Sequence, residues 1–394
     1  MRNESVAILD IRSKDISFSL GTKGVNGTFA FSDSRTETYE GFSSHGFYDE
    51  RSFRRAVHVA ITSVKENFGG KIGKIHVGIP SSFLKVLTKG HTISFSSKRK
   101  ICMQDIDALY ESGFNELLVK EKCIRRSAMY FTLGDNRKYF SPEDLYGVST
   151  TMIKGALTYH FISDYFYAII IETLQEIGFS EVEFIPSSFA QATYLFSKKR
   201  REGYAFLLDV GFLTTTFSVV YGNGIVREES FDFGTGSLLV ALMDTFDIEY
   251  ETAEEILYAS NISGGAVGKD QTFVDETTGK PFSVLKINDV IKYTLDILCE
   301  NIESFLSKHY KDRTSSALIV NPIGITGEGI SFIKGGAEHI SKRLNRLTEI
   351  VCPDLPYYDK PSYSSRIALL NTAISDQKKT SWIYKIFHRY GGKN

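Results

Sequence analysis

Two acidic residues stand where a carboxylate can work beside a phosphate. Ser5-Val-Ala-Ile-Leu-Asp10 is an apolar run that ends on Asp10, turns at Ser13-Lys14 and resumes as alternating apolar and polar residues to Leu20. Ala205-Phe-Leu-Leu-Asp209 repeats the idea, turning after Gly211 and resuming to Val220. Each unit reads as a buried strand, a tight turn and a second strand. Such a turn offers backbone N–H groups to phosphate oxygens, and its Asp can hold magnesium through water. For either Asp alone, simple turn formation is the better explanation. The pairing reverses that preference, because two such turns on two lobes would grip the phosphates of ATP from both sides. The base then needs a third loop. Thr326-Gly-Glu-Gly329 is a glycine-rich turn opening a helix, where backbone can lie against an adenosine.

The elements that must position these turns are readable from periodicity. Arg51 to Phe68 has apolar residues at helical spacing, and Lys74 to Pro80 is a short strand closed by proline. From about Ser81 to Ser180 the character changes. A helix is expected over Met103–Phe114, strands over Tyr130–Leu133 and Ser149–Phe161 around a polar loop, and a helix over Asp164–Gly178. Tyr221-Gly-Asn-Gly224 marks a hairpin turn before a strand over Ile225–Phe233. Helices follow at Ser237–Phe246, Thr252–Ala259, Val284–Tyr310 and Ile330–Leu344, with a strand over Ala317–Gly324 and a closing helix over Tyr363–Ile374. The units around Asp10 and Asp209 form an internal repeat of architecture rather than of residue identity.

Composition excludes several other chemistries. A net charge of -1 argues against a general nucleic-acid binder, which relies on unbalanced Lys and Arg. Cys102, Cys123, Cys299 and Cys352 are far apart, so neither a zinc site nor a disulfide framework is expected. No charged-then-apolar leader opens the chain and no run approaches the length of a membrane span, so the body is expected to be cytosolic. At 394 residues the chain suits two lobes rather than one core. Lys198-Lys-Arg-Arg201 reads as a solvated basic loop.

The order of these motifs resembles the actin/Hsp70/sugar-kinase superfamily: two Asp-ended strand–turn–strand units and a late T-G-x-G loop. Three features resemble the FtsA family of bacterial actin homologues within it. A segment is inserted after the third expected strand of the first lobe. Ser141-Pro-Glu-Asp-Leu-Tyr-Gly147 is similar to the family's N-P-x-G-L-x-G, and Pro361-Ser-Tyr-Ser-Ser-Arg-Ile-Ala-Leu-Leu370 to its closing P-x-Y-x-x-x-x-G-L-L. The resemblance implies an α/β actin-like ATPase fold: two lobes, each with a ribonuclease-H-like core, plus an inserted α+β subdomain. The expected divisions are a first-lobe core over 1–80, the insertion over 81–181, a lobe connection over 182–204 and second-lobe core over 205–236. An outer subdomain covers 237–290, core and adenosine loop 291–358, and a closing helix 359–374. A polar linker at 375–380 and a tail at 381–394 complete the chain.

Carried over by residue, the resemblance puts Asp10, Arg12, Ser13 and Lys14 in the first phosphate turn, and Asp209, Gly211, Thr214 and Thr215 in the second. It puts Gly234, Thr235 and Gly236 at a nucleotide-contacting helix start, Glu254 at the ribose, and Gly327, Glu328 and Gly329 at the adenosine. ATP and magnesium are the implied cofactors, with Asp10 and Asp209 holding the metal through water. Pro186 opens the helix connecting the lobes. No catalytic residue stands out there, so hydrolysis is expected to be weak at most, with Gln191 the candidate to position water. Three departures matter. Arg12 stands where the superfamily has glycine, Phe212 and Leu213 replace two glycines of the second turn, and Leu257 replaces the lysine that follows the ribose glutamate. Bulky side chains in a phosphate turn block close approach. A guanidinium at Arg12 can compensate by pairing with phosphate, whereas Phe212 and Leu213 cannot.

The chain's only Trp begins an amphipathic stretch. Trp382, Ile383, Ile386, Phe387 and Tyr390 cover an arc of about 140° on a helix. Lys385, His388 and Arg389 lie off that face, which is the pattern of an interfacial membrane anchor. The competing reading is a last helix docked on the protein's own core. FtsA proteins end in such a helix, so the resemblance implies an actin-like division protein on the cytoplasmic face of the cell membrane at the division site. It would form filaments with itself and tether FtsZ, with the FtsZ contact roughly within Ser237–Asn288. Three alternatives stand beside this: a nucleotide-free scaffold of the same fold, a PilM-like pilus assembly component, and a metabolic kinase. PilM shares the D-x-G-x-x-T-T that Asp209 to Thr215 matches.

Overall fold

The structure is a computed structural model that describes residues 5–24, 29–68, 72–263, 271–275, 278–310 and 320–390, without the side chains of Lys23 and of residues 378–390. β1 (Val6–Ile11) is buried along its whole length, as a run this apolar must be when both faces of a sheet are covered. It pairs antiparallel with β2 (Asp15–Lys23), which pairs antiparallel with β3 (Phe29–Thr38). The hairpin of β4 (Phe42–Ser43) and β5 (Gly46–Phe47) leads to α1 (Glu50–Phe68), which buries Phe53, Ala56, Val57, Ala60, Ile61 and Val64 on one face. β6 (Lys74–Ile79) then lies parallel to β1. β3 is an edge strand that buries only Phe29 fully, so its polar sequence hides it from periodicity.

Between β6 and the next lobe helix sits a separate sheet. It holds β7 (Leu84–Lys100), α2 (Met103–Asn115), β8 (Lys122–Thr132), β9 (Lys138–Tyr139) and β10 (Ser149–Ile162), in the order β7-β10-β8-β9. Ile106, Leu109, Phe131, Leu157 and Tyr159 form its own core. The inserted unit is narrower than 81–181. α3 (Asp164–Glu176) packs Phe166, Ile169, Ile170 and Leu174 into the first lobe's core, and β11 (Glu181–Pro186) completes that lobe's sheet, β3-β2-β1-β6-β11.

α4 (Ser187–Leu195) and α5 (Lys198–Arg201) cross to the second lobe. Its sheet uses β12 (Ala205–Val210), β13 (Thr215–Tyr221) and β14 (Gly224–Phe231). After α6 (Thr235–Phe246), α7 (Tyr250–Ala259), the pair β15 (Thr272–Val274) and β16 (Pro281–Ser283), and α8 (Val284–Tyr310), the sheet is completed by β17 (Ile323–Thr326) and β18 (Thr348–Ile350). The order β14-β13-β12-β17-β18 repeats that of the first lobe, with an antiparallel hairpin pair on one side and parallel strands on the other. The strand expected over Ala317–Gly324 starts only at Ile323, residues 317–319 lying outside the described set. The helix expected over Ile330–Leu344 is broken. Gly335 has φ +85°, and a Cβ there would lie 2.2 Å from the Ser263 backbone nitrogen, so the chain kinks before α9 (Gly336–Arg343).

α10 (Ser364–Tyr390) closes the molecule. Its first turns bury Ile367, Ala368, Leu369, Leu370, Ala373 and Ile374 against Val6, Ile8 and Ile185, and it packs along α4. The linker expected at 375–380 is helical instead, and α10 runs through it unbroken. Ser375-Asp-Gln-Lys-Lys-Thr380 contains no Gly or Pro, so nothing in it stops a helix already started. The tail side chains Trp382, Ile383, Lys385, Ile386, Phe387, Arg389 and Tyr390 lie outside the described residues, as do residues 391–394. Among the described residues no helix is long and apolar enough to cross a membrane.

Candidate functional site

The two Asp-ended turns meet across the cleft between the lobes. Asp10 pairs with Ser17 one pair before the end of the β1–β2 ladder, and Asp209 pairs with Thr216 at the matching place in β12–β13. Asp10 is fully buried and Asp209 partly so. Burial raises Asp10, and the nearby Arg12 guanidinium opposes that rise. Burial pushes Asp209 up to about 6, with a bond from Gln191 opposing and the charge of Asp10 adding to it. Each carboxyl has a protein donor. Ser365 Oγ donates to Asp10 Oδ1 at 2.7 Å, and the buried Gln191 side chain serves Asp209. Ser365 stands at an unspecified position of the closing segment Pro361–Leu370, so the motif does not mark it, and it reaches the site from the first turn of α10.

Arg12 dominates the cleft. Its Nη1 lies 2.7 Å from Glu328 Oε2, across the lobes, and its Nη2 lies 2.6 Å from Asp15 Oδ1. Burial would lower its pKa, and the surrounding carboxylates outweigh that, so it stays charged. Ser13 Oγ accepts the backbone N–H of Leu213 at 3.0 Å, joining the first turn to the second. Lys14 Nζ lies 3.8 Å from Glu254 Oε1 and 4.6 Å from the centre of the Phe212 ring. Asp10, Arg12, Ser13, Lys14, Asp209, Glu254 and Glu328 are therefore assembled around one cleft.

The remaining expected residues take other places. Thr214 and Gly211 line the cleft, with the Gly211 N–H bonded to the Thr214 carbonyl. Thr215 is fully buried and donates to the Phe233 carbonyl at 2.7 Å, so its hydroxyl faces the core. Gly234, Thr235 and Gly236 pack the start of α6 on the second turn, through Thr235 N–H to the Gly211 carbonyl and Gly236 N–H to the Phe212 carbonyl. Gly327 has φ +97°, and a Cβ there would lie 2.4 Å from Asp209 Oδ1. Gly329 backs onto the Gly211 and Val210 carbonyls. The third loop thus sits directly on the second turn.

The space left is small. One cavity of about 70 Å³ lies between the turns, walled by Arg12, Ser13, Gln191, Asp209, Phe212 and Glu328. A second of about 180 Å³ lies beyond, walled by Lys14, Phe212, Glu254, Tyr258, Glu328 and Phe332. Phe212 and Glu328 bound both. Small-molecule pockets start at roughly 300 Å³, so neither chamber alone is large enough for a nucleotide, although a third cavity of about 710 Å³ adjoins them, walled by Lys14, Tyr39, Phe212, Tyr250 and Glu254. Among the described residues no group of three or more His, Cys, Asp or Glu side chains is placed to hold a metal ion.

No protein-family model matches the sequence, and no curated protein matches it. Solved structures do match along nearly the whole chain. PilM in a PilM–PilN type IV pilus biogenesis complex is similar at 12% identity, covering 94% of this chain and 99% of that one with a TM-score of 0.60. MreB5 of Spiroplasma citri bound to ADP is similar at 11%, covering 96% and 98% with a TM-score of 0.56. The ethanolamine utilization protein EutJ from Carboxydothermus hydrogenoformans is similar at 13%, covering 94% and 90% with a TM-score of 0.51. The chain has the actin-like ATPase fold, two ribonuclease-H-like lobes with an α+β subdomain inserted in the first.

Proposed function

We propose that this protein is a membrane-docked actin-like scaffold of the FtsA kind, which tethers FtsZ filaments at the division site and assembles with copies of itself. The observation that carries the reading is α10. It is rooted in the core at Ile367–Ile374 and continues without a break into the amphipathic stretch from Trp382 to Tyr390. At about 1.5 Å per residue, its last thirteen residues reach roughly 20 Å past the side chains whose packing is described. A basic, aromatic helix held that way can enter the headgroup layer while the lobes stay in water.

A groove between the lobes supports a protein partner. The β4–β5 hairpin faces α6 and α8 across a cavity of about 1160 Å³, with Tyr48, Val240 and Tyr293 exposed along it. It overlaps the Ser237–Asn288 stretch where the resemblance implies the FtsZ contact. MreB5 structures hold ADP and AMPPNP, which supports ATP as the ligand that this cleft would take once opened, and the resemblance implies magnesium with it.

The PilM-like reading rests on the similarity to PilM and on the D-x-G-x-x-T-T of Asp209 to Thr215. Vesicle co-sedimentation separates the two. The intact chain is expected to pellet with vesicles containing anionic lipid, and Phe387→Glu to stay in solution. An intact chain that ignores vesicles overturns membrane docking and favours the PilM-like reading.

A further inference from the structure

We infer that Arg12 and Glu328 clasp the two lobes in the place of a nucleotide, so that the closed form of this protein is held by its own side chains. This concerns the same cleft as the ATP reading and is independent of the membrane tail.

Several donors that two phosphate turns would offer to a ligand are already engaged. The Arg12 guanidinium is divided between Asp15 on its own turn and Glu328 on the opposite lobe. The Leu213 N–H is bonded to Ser13 Oγ, and the Gly211 N–H to the Thr214 carbonyl. Lys14 lies over the Phe212 ring with Glu254 and Tyr250 at its ammonium group. Arg12, Ser13 and Lys14 belong to the first lobe, and Glu328, Leu213, Phe212 and Glu254 to the second. Three consecutive residues therefore each make a contact across the cleft.

Charge and shape agree with this. Asp10, Asp15, Asp209 and Glu328 surround the cleft, and burial raises Glu328 against the pull of Arg12. A triphosphate would have to displace Glu328 from Arg12 and leave a buried carboxylate without its cation, which is strongly unfavourable. The Phe212 ring and Glu328 side chain also separate the space between the turns, about 70 Å³, from a chamber of about 180 Å³ beyond it. A glycine at position 12, as the superfamily turn has, would remove the guanidinium that holds Glu328 in place.

The test compares the intact chain with Arg12→Gly and Glu328→Gln. Calorimetry with Mg-ATP should show at least tenfold tighter binding in Arg12→Gly than in the intact chain. Small-angle scattering should show a larger radius of gyration in Glu328→Gln, whose far-ultraviolet circular dichroism confirms that it stays folded. If the intact chain binds Mg-ATP, and does so as tightly as Arg12→Gly, the inference is overturned. It is equally overturned if a folded Glu328→Gln keeps the radius of the intact chain. A larger radius in Glu328→Gln with no ATP bound by Arg12→Gly upholds the clasp, and then Phe212 is what blocks the nucleotide. Vesicle binding should be unchanged in both variants, so a failed clasp and a failed membrane anchor are read separately.

Discussion

Arg125, on β8 of the inserted sheet, donates from Nη1 and Nη2 to the two carboxylate oxygens of Asp376 on α10, at 2.6 and 3.3 Å, one residue before the last described side chain of that helix. The same guanidinium lies 4.5 Å from the centre of the Phe189 ring on α4. One residue thus ties the insertion, the lobe connection and the root of the tail together. A paired, half-buried guanidinium stacked on an aromatic ring is worth more than an exposed ion pair. Arg125→Ala is expected to cost about 2 kcal/mol. It should also speed amide exchange in α10 around Asp376 while leaving the strands of the second lobe unaffected. Uniform exchange changes across both lobes would show that Arg125 supports global stability only.

Asp209 and Glu228 give the protein a pH dependence of defined sign. Burial lifts Asp209 to about 6 and Glu228 to about 7. Both folded values lie above their ordinary ones, so the folded state holds protons that the unfolded chain releases earlier. Their stabilising contribution is complete below about pH 4 and is lost as pH rises through about 6 to 7. For Asp209 the loss is on the order of 3 kcal/mol, at about 1.4 kcal/mol per unit. Urea midpoints should therefore fall between about pH 5 and pH 8, and Asp209→Asn should flatten that slope. A midpoint that rises over the same interval would contradict the buried, protonated carboxyls.

Much of this architecture was legible before the structure. β1 is an unbroken apolar run ending on an acid and α8 a long helical pattern, both buried, so apolar patterning alone located them. β7 was not, because its residues from Leu84 to Lys100 alternate between half-buried and exposed, with no fully buried position to mark a strand. The acids of the two turns were visible as motifs, and Arg12 as a departure from one. Its partner Glu328 was visible only as part of the adenosine loop, because an ion pair between residues so far apart in sequence depends on how the lobes meet. The linker at 375–380 failed for a different reason: polar composition was read as loop, although none of its residues disfavours continuing a helix.

Gly327 is a backbone requirement as well as a motif residue. Its φ of +97° is open to glycine at little cost, and a Cβ would lie 2.3 Å from the Val210 carbonyl and 2.4 Å from Asp209 Oδ1. Gly327→Ala is expected to destabilise by about 2 kcal/mol or more. It should also shift the Asp209 titration downward, because moving the loop admits water to that carboxyl. Paired urea titrations at low and neutral pH would detect both effects. An unchanged midpoint would mean that the loop accommodates a methyl group by sliding off the second turn.

The continuity of α10 makes a prediction that a flexible linker does not. If the tail is a rigid extension of a helix packed on α4, its apolar arc has a fixed direction relative to the lobes. Two alanines inserted after Gln377 would turn that arc by about 200° and extend the helix by only about 3 Å. The anchor's composition would be intact, so an isolated tail peptide with the insertion should bind vesicles as before. The whole chain should bind several-fold less, because the lobes would now face the lipid surface when the tail engages it. Insertion of four residues, close to one full turn, should restore most of the binding. Equal binding of all three chains would show that the helix bends between Ser375 and Thr380 when the tail meets a membrane, and that anchor and body are oriented independently.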